Sequence, residues 1–326
     1  MALVTISDIR SAAGLIAPAA VRTPLLRFGD EGWDGTGGLW LKPESLQPVG
    51  AFKVRGAYHA LARLPEDVRA RGVVAYSSGN HAQAVAYAAK RFGVPATIVV
   101  PDTAPRVKVE ATRALGAEVV LVPMALRESR AAELVASLGA TLIPPFDHPD
   151  VIAGQGTVGL EVVADLPDVA TVLVPVSGGG LLSGVATAVK ALSPGTRVVG
   201  VEPELAGDAA ASFRAGSLVR WPPADRARTI ADGLRAEPSE LTFAHIRAYV
   251  DDVLTVSEEE IAAAVGRLAR EARLVVEPSG AVAFAAALRE RPAGPTAVVL
   301  SGGNVDPEVF AELVRRDPSG ADPRRG

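Results

Sequence analysis

The chain has 326 residues, 48% of them hydrophobic and 21% charged, with a formal net charge of −4. That is enough apolar mass for a large core, in two domains or one large one, and it lacks the basic footprint of a nucleic-acid partner. The absence of cysteine excludes disulfides and thiolate chemistry, and with no signal peptide or bilayer-length apolar run a cytoplasmic protein without a membrane partner is expected.

Ser7 to Ala20 reads as a helix, followed by an irregular stretch around Thr23-Pro24. Leu39 to Lys42 is a strand, and Phe52 to Leu64 a helix stopped by Pro65. Val73 to Ser77 is a short apolar strand before a helix from about His81 to Phe92, which Gly93 and Pro95 close. Then come strand Thr97 to Val100, helix Arg106 to Leu115, strand Glu118 to Val122, helix Arg127 to Leu138 and strand Thr141 to Ile143. Pro144 to Pro149 is the expected crossing between two lobes.

The alternation resumes with strand Thr171 to Val176, helix Leu181 to Leu192 and strand Arg197 to Val201. An irregular stretch then reaches Ser257-Glu258-Glu259-Glu260, a capping box that opens a helix. Helix Ala281 to Arg289 and strand Ala297 to Leu300 follow, and the polar tail after Arg316 reads as frayed. Strands alternating with helices of this length predict βαβ units and parallel sheets.

Gly50-Ala51-Phe52-Lys53-Val54-Arg55-Gly56-Ala57 is the stretch around which the chain is organised. A free lysine has a pKa of about 10.4, and burial lowers it, so a lysine in apolar surroundings can serve as a Schiff-base nucleophile. Alone, Lys53 reads more readily as a surface lysine opening a helix; the other motifs change that balance. Ser177-Gly178-Gly179-Gly180 lies between a buried strand and a helix, the context of a phosphate cradle of backbone N–H groups. Gly154-Gln155-Gly156-Thr157-Val158-Gly159 matches G-x-G-x-x-G, but it follows no strand and its surroundings read helical, so it is not a dinucleotide fingerprint. Ser77-Ser78-Gly79-Asn80-His81 and Ser301-Gly302-Gly303-Asn304 also end strands, where parallel sheets bind ligands.

Taken in order, these motifs resemble the fold type II pyridoxal phosphate enzymes, within them the threonine dehydratase and serine racemase branch. Val151 to Thr157 and Thr229-Ile230-Ala231-Asp232-Gly233 match that branch as well, so the resemblance covers roughly residues 5 to 315. It implies an α/β protein of the tryptophan synthase β-like kind, with two open, mostly parallel sheets and helices on both faces. The implied domains are a large one, 1–71 with 148–326, and a small one, 72–147, that closes over the active site.

Carried over by residue, the resemblance gives Lys53 the Schiff base with pyridoxal 5′-phosphate and Ser177, Gly178, Gly179, Gly180 and Leu181 the phosphate. Asn80 would meet the phenolic oxygen of the ring and Ser301 its nitrogen, while Ser77, Ser78, Asn80 and His81 would hold the substrate carboxylate. Ser78 matches the serine that in the racemases is the acid/base on the face opposite the lysine. Glu202, the carbonyl of Ala206 and Asp208 align with a divalent-cation site for Mg²⁺, Mn²⁺ or Ca²⁺. Three departures are Ala51 where the family often has Ser, Ser177 where it often has Gly, and Pro48 where animal serine racemases have a nucleotide-binding lysine. ATP regulation is therefore not expected, nor is feedback through a C-terminal regulatory domain.

The expected activity is dehydration of L-threonine, L-serine or a related β-hydroxy amino acid to a 2-oxo acid and ammonia, by a homodimer. The alternative is a serine or aspartate racemase with dehydratase side activity. A non-catalytic amino-acid-binding protein is a remote third, disfavoured because such a protein has no use for Lys53.

Overall fold

The computed structural model describes residues 2–29, 37–77, 79–104 and 106–316. The first helix, α1 (Ile6–Ile16), starts at a capping box of Thr5 and Asp8 and stops ahead of Pro18, short of the expected Ala20. The strand β1 (Leu26–Phe28) was not expected from the sequence; it pairs antiparallel with β2 (Leu39–Pro43). Next come α2 (Lys53–Arg63), the short α3 (Glu66–Ala70), β3 (Val73–Tyr76), α4 (Asn80–Phe92), β4 (Ala96–Pro101) and α5 (Arg106–Ala114). They lead to β5 (Glu118–Val122), α6 (Arg127–Leu138), β6 (Thr141–Leu142), α7 (Pro149–Asp165), β7 (Thr171–Pro175), α8 (Gly180–Leu192) and β8 (Arg197–Pro203).

The stretch between β8 and Ser257, read above as irregular, is largely ordered. It holds α9 (Asp208–Ala215), the short α10 (Pro223–Arg226), α11 (Glu240–Tyr249) and β9 (Asp252–Val256). The signals were small: α11 opens on a capping box of Ser239 and Thr242 rather than Ser and Glu, and β9 is only half-buried. After it come α12 (Glu258–Arg267), with the expected Ser257–Glu260 box, then α13 (Pro278–Glu290), β10 (Thr296–Leu300) and α14 (Pro307–Arg315).

One sheet has the order β1-β2-β10-β7-β8-β9 and is parallel except for β1; the other, β5-β4-β3-β6, is parallel throughout. Side chains alternate across a strand, so each strand feeds two cores. Leu173, Val298 and Leu300 pack with α12 and α13, whereas Val172, Val174, Ala297 and Val299 pack with α7 and α8. In the smaller sheet Val73, Ala75, Ile98 and Val100 pack with α2 and α4, while Val74 and Val99 face Ala131 of α6. The G-x-G-x-x-G stretch lies inside α7 and serves helix packing. A Cβ on Gly154 would sit 2.6 Å from the Arg55 carbonyl oxygen, and one on Gly184 would sit 2.3 Å from that of Ile152.

A buried charge cluster fixes the start of α2. Arg55 donates Nε and Nη2 to Glu44 at 2.7 and 2.8 Å, and Nη1 and Nη2 to Glu161 at 2.7 and 2.9 Å. Lys42 adds a 2.6 Å pair with Glu161, and Thr23 and Thr157 complete the hydrogen bonding. Glu44 and Arg55 are buried, and the attraction offsets a desolvation cost that either charge alone could not bear.

Candidate active site

The segment before α2 is stitched to the end of β10. Ala51 forms an antiparallel bridge with Gly302, Phe52 N–H donates to the Ser301 carbonyl at 3.0 Å, and Gly303 N–H donates to the Gly50 carbonyl at 2.8 Å. Lys53, the first residue of α2, is thereby held beside Ser301. Its Nζ donates to the Pro145 carbonyl at 2.6 Å, and burial lowers its pKa to about 8. The ammonium form loses hydration there and gains no carboxylate partner among the described residues, so the neutral amine becomes accessible near pH 7.

Phe146, next to the carbonyl that holds Lys53, fills the underside of the glycine loop. Cβ atoms on Gly178 and Gly180 would lie 2.3 and 2.9 Å from Phe146 atoms, and Gly179 has a φ of 89°. No larger residue fits this turn. The Pro144–Pro149 crossing therefore also brings the lysine and the loop together, a role its proline content did not reveal. Ser177 Oγ is committed to Ala236, accepting from its N–H and donating to its carbonyl, both at 2.9 Å. The helix α8 has no side-chain cap, so the N–H groups of its first turn, including that of Leu181, face the loop without a side-chain acceptor.

Asn80 opens α4. Its Nδ2 donates to Glu277 Oε1 at 2.6 Å, and its Oδ1 accepts from Asn304 Nδ2 at 2.8 Å. Asn304 also donates to the Val49 carbonyl at 2.8 Å. The amide orientation of Asn80 is fixed by this chain, and one Nδ2–H remains for another acceptor. Glu277, just ahead of α13, is buried; burial, and then the charge of Asp232, raise its pKa to about 7. Sequence reasoning missed Glu277. The only signal was an ionisable residue directly before Pro278 at the head of a helix that is mostly apolar up to Leu288.

His81 is buried, with Nε2 2.8 Å from the Ile143 carbonyl, so this nitrogen carries the proton. Burial, and then the charge of Lys53, lower its pKa to about 3, and the ring is a neutral group at working pH. Its side-chain donor is already used; what it can offer an anion is its backbone N–H in the first turn of α4, a helix without a side-chain cap. Ser77 Oγ accepts from Gly79 N–H at 3.2 Å and closes the turn. Ser78 lies outside the described residues. Ser301 is buried and its Oγ reaches the Ser279 carbonyl only at 3.5 Å, so its hydroxyl is almost uncommitted.

A cavity of about 300 Å³ adjoins this cluster, lined among others by Gln83, Lys108, Asp232, Glu277, Asn304 and Asp306. The Glu202, Ala206 and Asp208 group sits at the end of β8 and the start of α9, all three buried. Glu202 accepts from the N–H groups of Ala209 and Ala210 at 3.3 and 2.5 Å, while Asp208 Oδ2 is buried without a hydrogen-bond partner. Burial, and then the charge of Asp208, hold the Glu202 carboxyl well above its usual range, and burial raises Asp208 to about 7.

A family model described as pyridoxal-phosphate dependent enzyme matches residues 16–302. The L-threonine ammonia-lyase of Thermotoga maritima is 44% identical over 320 residues, covering 96% of this chain and 79% of that protein. The L-threo-3-hydroxyaspartate ammonia-lyase of Saccharomyces cerevisiae is 43% identical over 327 residues, covering 96% and 97%. The structure of maize serine racemase superposes with a TM-score of 0.90 at 39% identity, covering 95% of this chain and 97% of that one.

Proposed function

The chain belongs to the pyridoxal-phosphate dependent enzymes, and from that membership we propose the reaction it performs: ammonia release from a β-hydroxy amino acid. The protein is an ammonia-lyase that converts such a substrate to a 2-oxo acid and ammonia. L-Threonine and L-threo-3-hydroxyaspartate, the substrates in the names of its relatives, are the leading candidates. The observation that carries the reading is the half-buried Lys53, its amine lowered to about 8 by desolvation and set beside Ser301 and the glycine loop.

The residues fit the cofactor. Lys53 would bind its aldehyde carbon, and the N–H groups of Gly178, Gly179, Gly180 and Leu181 would take its phosphate, with Ser177 closing the loop through Ala236. The spare Nδ2–H of Asn80 would take the phenolic oxygen and the Ser301 hydroxyl the ring nitrogen. Bound there, pyridoxal phosphate supplies the electron sink for the carbanion at Cα.

Lys53 does the proton work. With cofactor and substrate bound, its neutral amine would take the Cα proton and deliver a proton to the departing β-hydroxyl. The first-turn N–H groups of α4, with Ser77 and Ser78, hold the substrate carboxylate, and neutral His81 keeps that pocket free of a competing cation. A hydroxyl such as that of Ser301 does not hold a pyridinium proton as a carboxylate would. Ser301 would therefore leave the ring nitrogen a weaker electron sink than a carboxylate would, which suits elimination of the β-hydroxyl. Water lost at Cβ is regained at hydrolysis, so the net products are a 2-oxo acid and ammonia.

Residues 72–147 carry the smaller sheet and would move as the closing domain of a cytoplasmic homodimer. Among the described residues, no helix is long and apolar enough to cross a membrane. Glu202, the Ala206 carbonyl and Asp208 would hold a divalent cation; two buried carboxyls, one oxygen without a partner, suit such a charge. A second activity, serine racemisation, is supported by the likeness to maize serine racemase and by Ser78, which would protonate the face opposite Lys53.

The test is an assay of purified protein against L-threonine, L-serine, D-serine and 3-hydroxyaspartate, following 2-oxo acid and chirality together. Release of 2-oxo acid should exceed interconversion of isomers. Faster interconversion of L- and D-serine than pyruvate release would reverse the order of the two activities, and no 2-oxo acid from any substrate would end the lyase reading.

A further inference from the structure

The stretch Thr229 to Gly233 has no part in the chemistry above, yet Ile230 and Asp232 line the cavity that adjoins the active-site cluster at Glu277 and Asn304. Asp232 meets Lys108 of α5 at 2.5 Å, and both line the cavity next to Glu277. The two ends are held differently. Asp232 sits on a loop tied to α13 by Gly233 N–H donating to Ser279 Oγ at 2.9 Å, and to α12 by Ile230 N–H donating to Glu258 at 2.7 Å. Lys108 rides on α5, a helix of the smaller sheet, and its amine would be 3.8 Å from a Cβ on Gly79. The pair thus spans the gap between the two sheets, with the substrate-carboxylate turn on one side and Glu277 on the other.

We propose that Lys108 and Asp232 are a clasp across the mouth of the active-site cleft and a pair of positioning residues whose opposite charges act on Asn80 through Glu277. The inference rests on the cofactor reading given above. Glu277 is faced by Asn80 from α4, Lys108 from α5, Asp232 from the 229–233 loop and Asp306 ahead of α14. The Oδ1 of Asp306 is taken up by the N–H groups of Glu308 and Val309. Burial sets the Glu277 carboxyl high, Asp232 raises it further, and Asn80 and Lys108 oppose the rise. Opening the clasp separates the charges of Lys108 and Asp232. The carboxyl next to Asn80 then feels a different field, and the hydrogen bond that fixes the Asn80 amide changes strength with it. Lys108 is 13% exposed and Asp232 41%, so the pair itself is weak and easily opened, as a clasp in each catalytic cycle must be.

The two charges have opposite signs, and this separates the proposal from a merely structural role. Lys108→Met and Asp232→Asn holoenzymes are titrated between pH 5.5 and 9 by the visible band of the cofactor, and the cofactor-free proteins by melting temperature. The midpoint should move up in Lys108→Met and down in Asp232→Asn, by about half a pH unit each, in both measurements. KM for the amino acid should rise severalfold in both variants, and in wild type it should rise with salt. Midpoints that stay put, move the same way in both variants, or do not exist in wild type overturn the clasp while leaving the cofactor reading intact. A wild-type protein with no visible band after reconstitution overturns the cofactor reading, and the clasp with it.

Discussion

The cluster around Arg55 and the cluster around Asn80 are built from the same materials, buried carboxylates and side-chain donors, but to opposite ends. At Arg55 two cations face two carboxylates, and all three guanidinium nitrogens are in use. At Asn80 one N–H is left over, and the carboxyl beside it has no cation of its own, because Lys108 is paired with Asp232. A saturated cluster can only hold a shape. An unsaturated one can respond to what enters the site, and the difference separates scaffold from function between two clusters that each hold a buried carboxylate, Glu44 in one and Glu277 in the other.

The contrast breaks most completely at Lys53, which has no counter-ion in either cluster. Lys53→Ala should lose the visible cofactor band and at least on the order of 10³-fold in kcat. A variant that kept both would show that the amine is elsewhere.

Breaking the saturated cluster should cost stability. Arg55→Met leaves Glu44 and Glu161 facing each other with only Lys42 between them, and should lower the unfolding free energy by about 3–5 kcal/mol. Urea unfolding measures it; a loss under about 1 kcal/mol would mean that the cluster is solvated and not the rigid element described.

The unsaturated cluster should do the reverse. Glu277 has a folded pKa, about 7, above its ordinary value of 4.5. Its contribution to stability is therefore full below about pH 4.5 and lost as pH rises through about 7. Glu277→Gln keeps an acceptor for Asn80 without the charge. In cofactor-free protein its melting temperature should match wild type near pH 5 and exceed it at pH 8, by an amount worth up to about 3 kcal/mol. A wild type that gains on the variant as pH rises would contradict this reading.

The smallest effect is expected at the cation site. Added Mg²⁺ should raise the wild-type melting temperature by on the order of a few °C over the value in chelator, and leave Asp208→Ala flat. Equal wild-type melts in metal and chelator would remove the site.

Much of the fold was legible because long apolar strands and glycine-closed helices announce themselves locally. The strands β5, β7 and β10 and the helices α6 and α8 lie within a residue or so of their expected bounds. The 204–256 stretch was misread because its helices are short and its strand half-buried, so periodicity had few residues to act on. At the site, Lys53, Asn80, Ser301 and the glycine loop could be picked out because each ends a strand or opens a helix. Glu277, Asn304 as a partner of Asn80, Phe146 under the glycine loop and the Lys108–Asp232 pair could not. Each owes its place to a contact between segments far apart in the chain, and no local pattern encodes that.

The bridge between Ala51 and Gly302 also sets a timetable. During synthesis the lysine turn emerges first and must wait for roughly 250 more residues, on the order of 10–50 s at the ribosome, before its partner strand exists. Through that interval β2 has β1 on one edge and nothing on the other, and the edge reserved for β10 is an open template for another chain. The smaller sheet, complete by Leu142, can form meanwhile. The nascent protein therefore passes through a stage in which its smaller lobe can be folded while its lysine turn is not, and that unpaired edge of β2 is where a chaperone, or an aggregate, would find it.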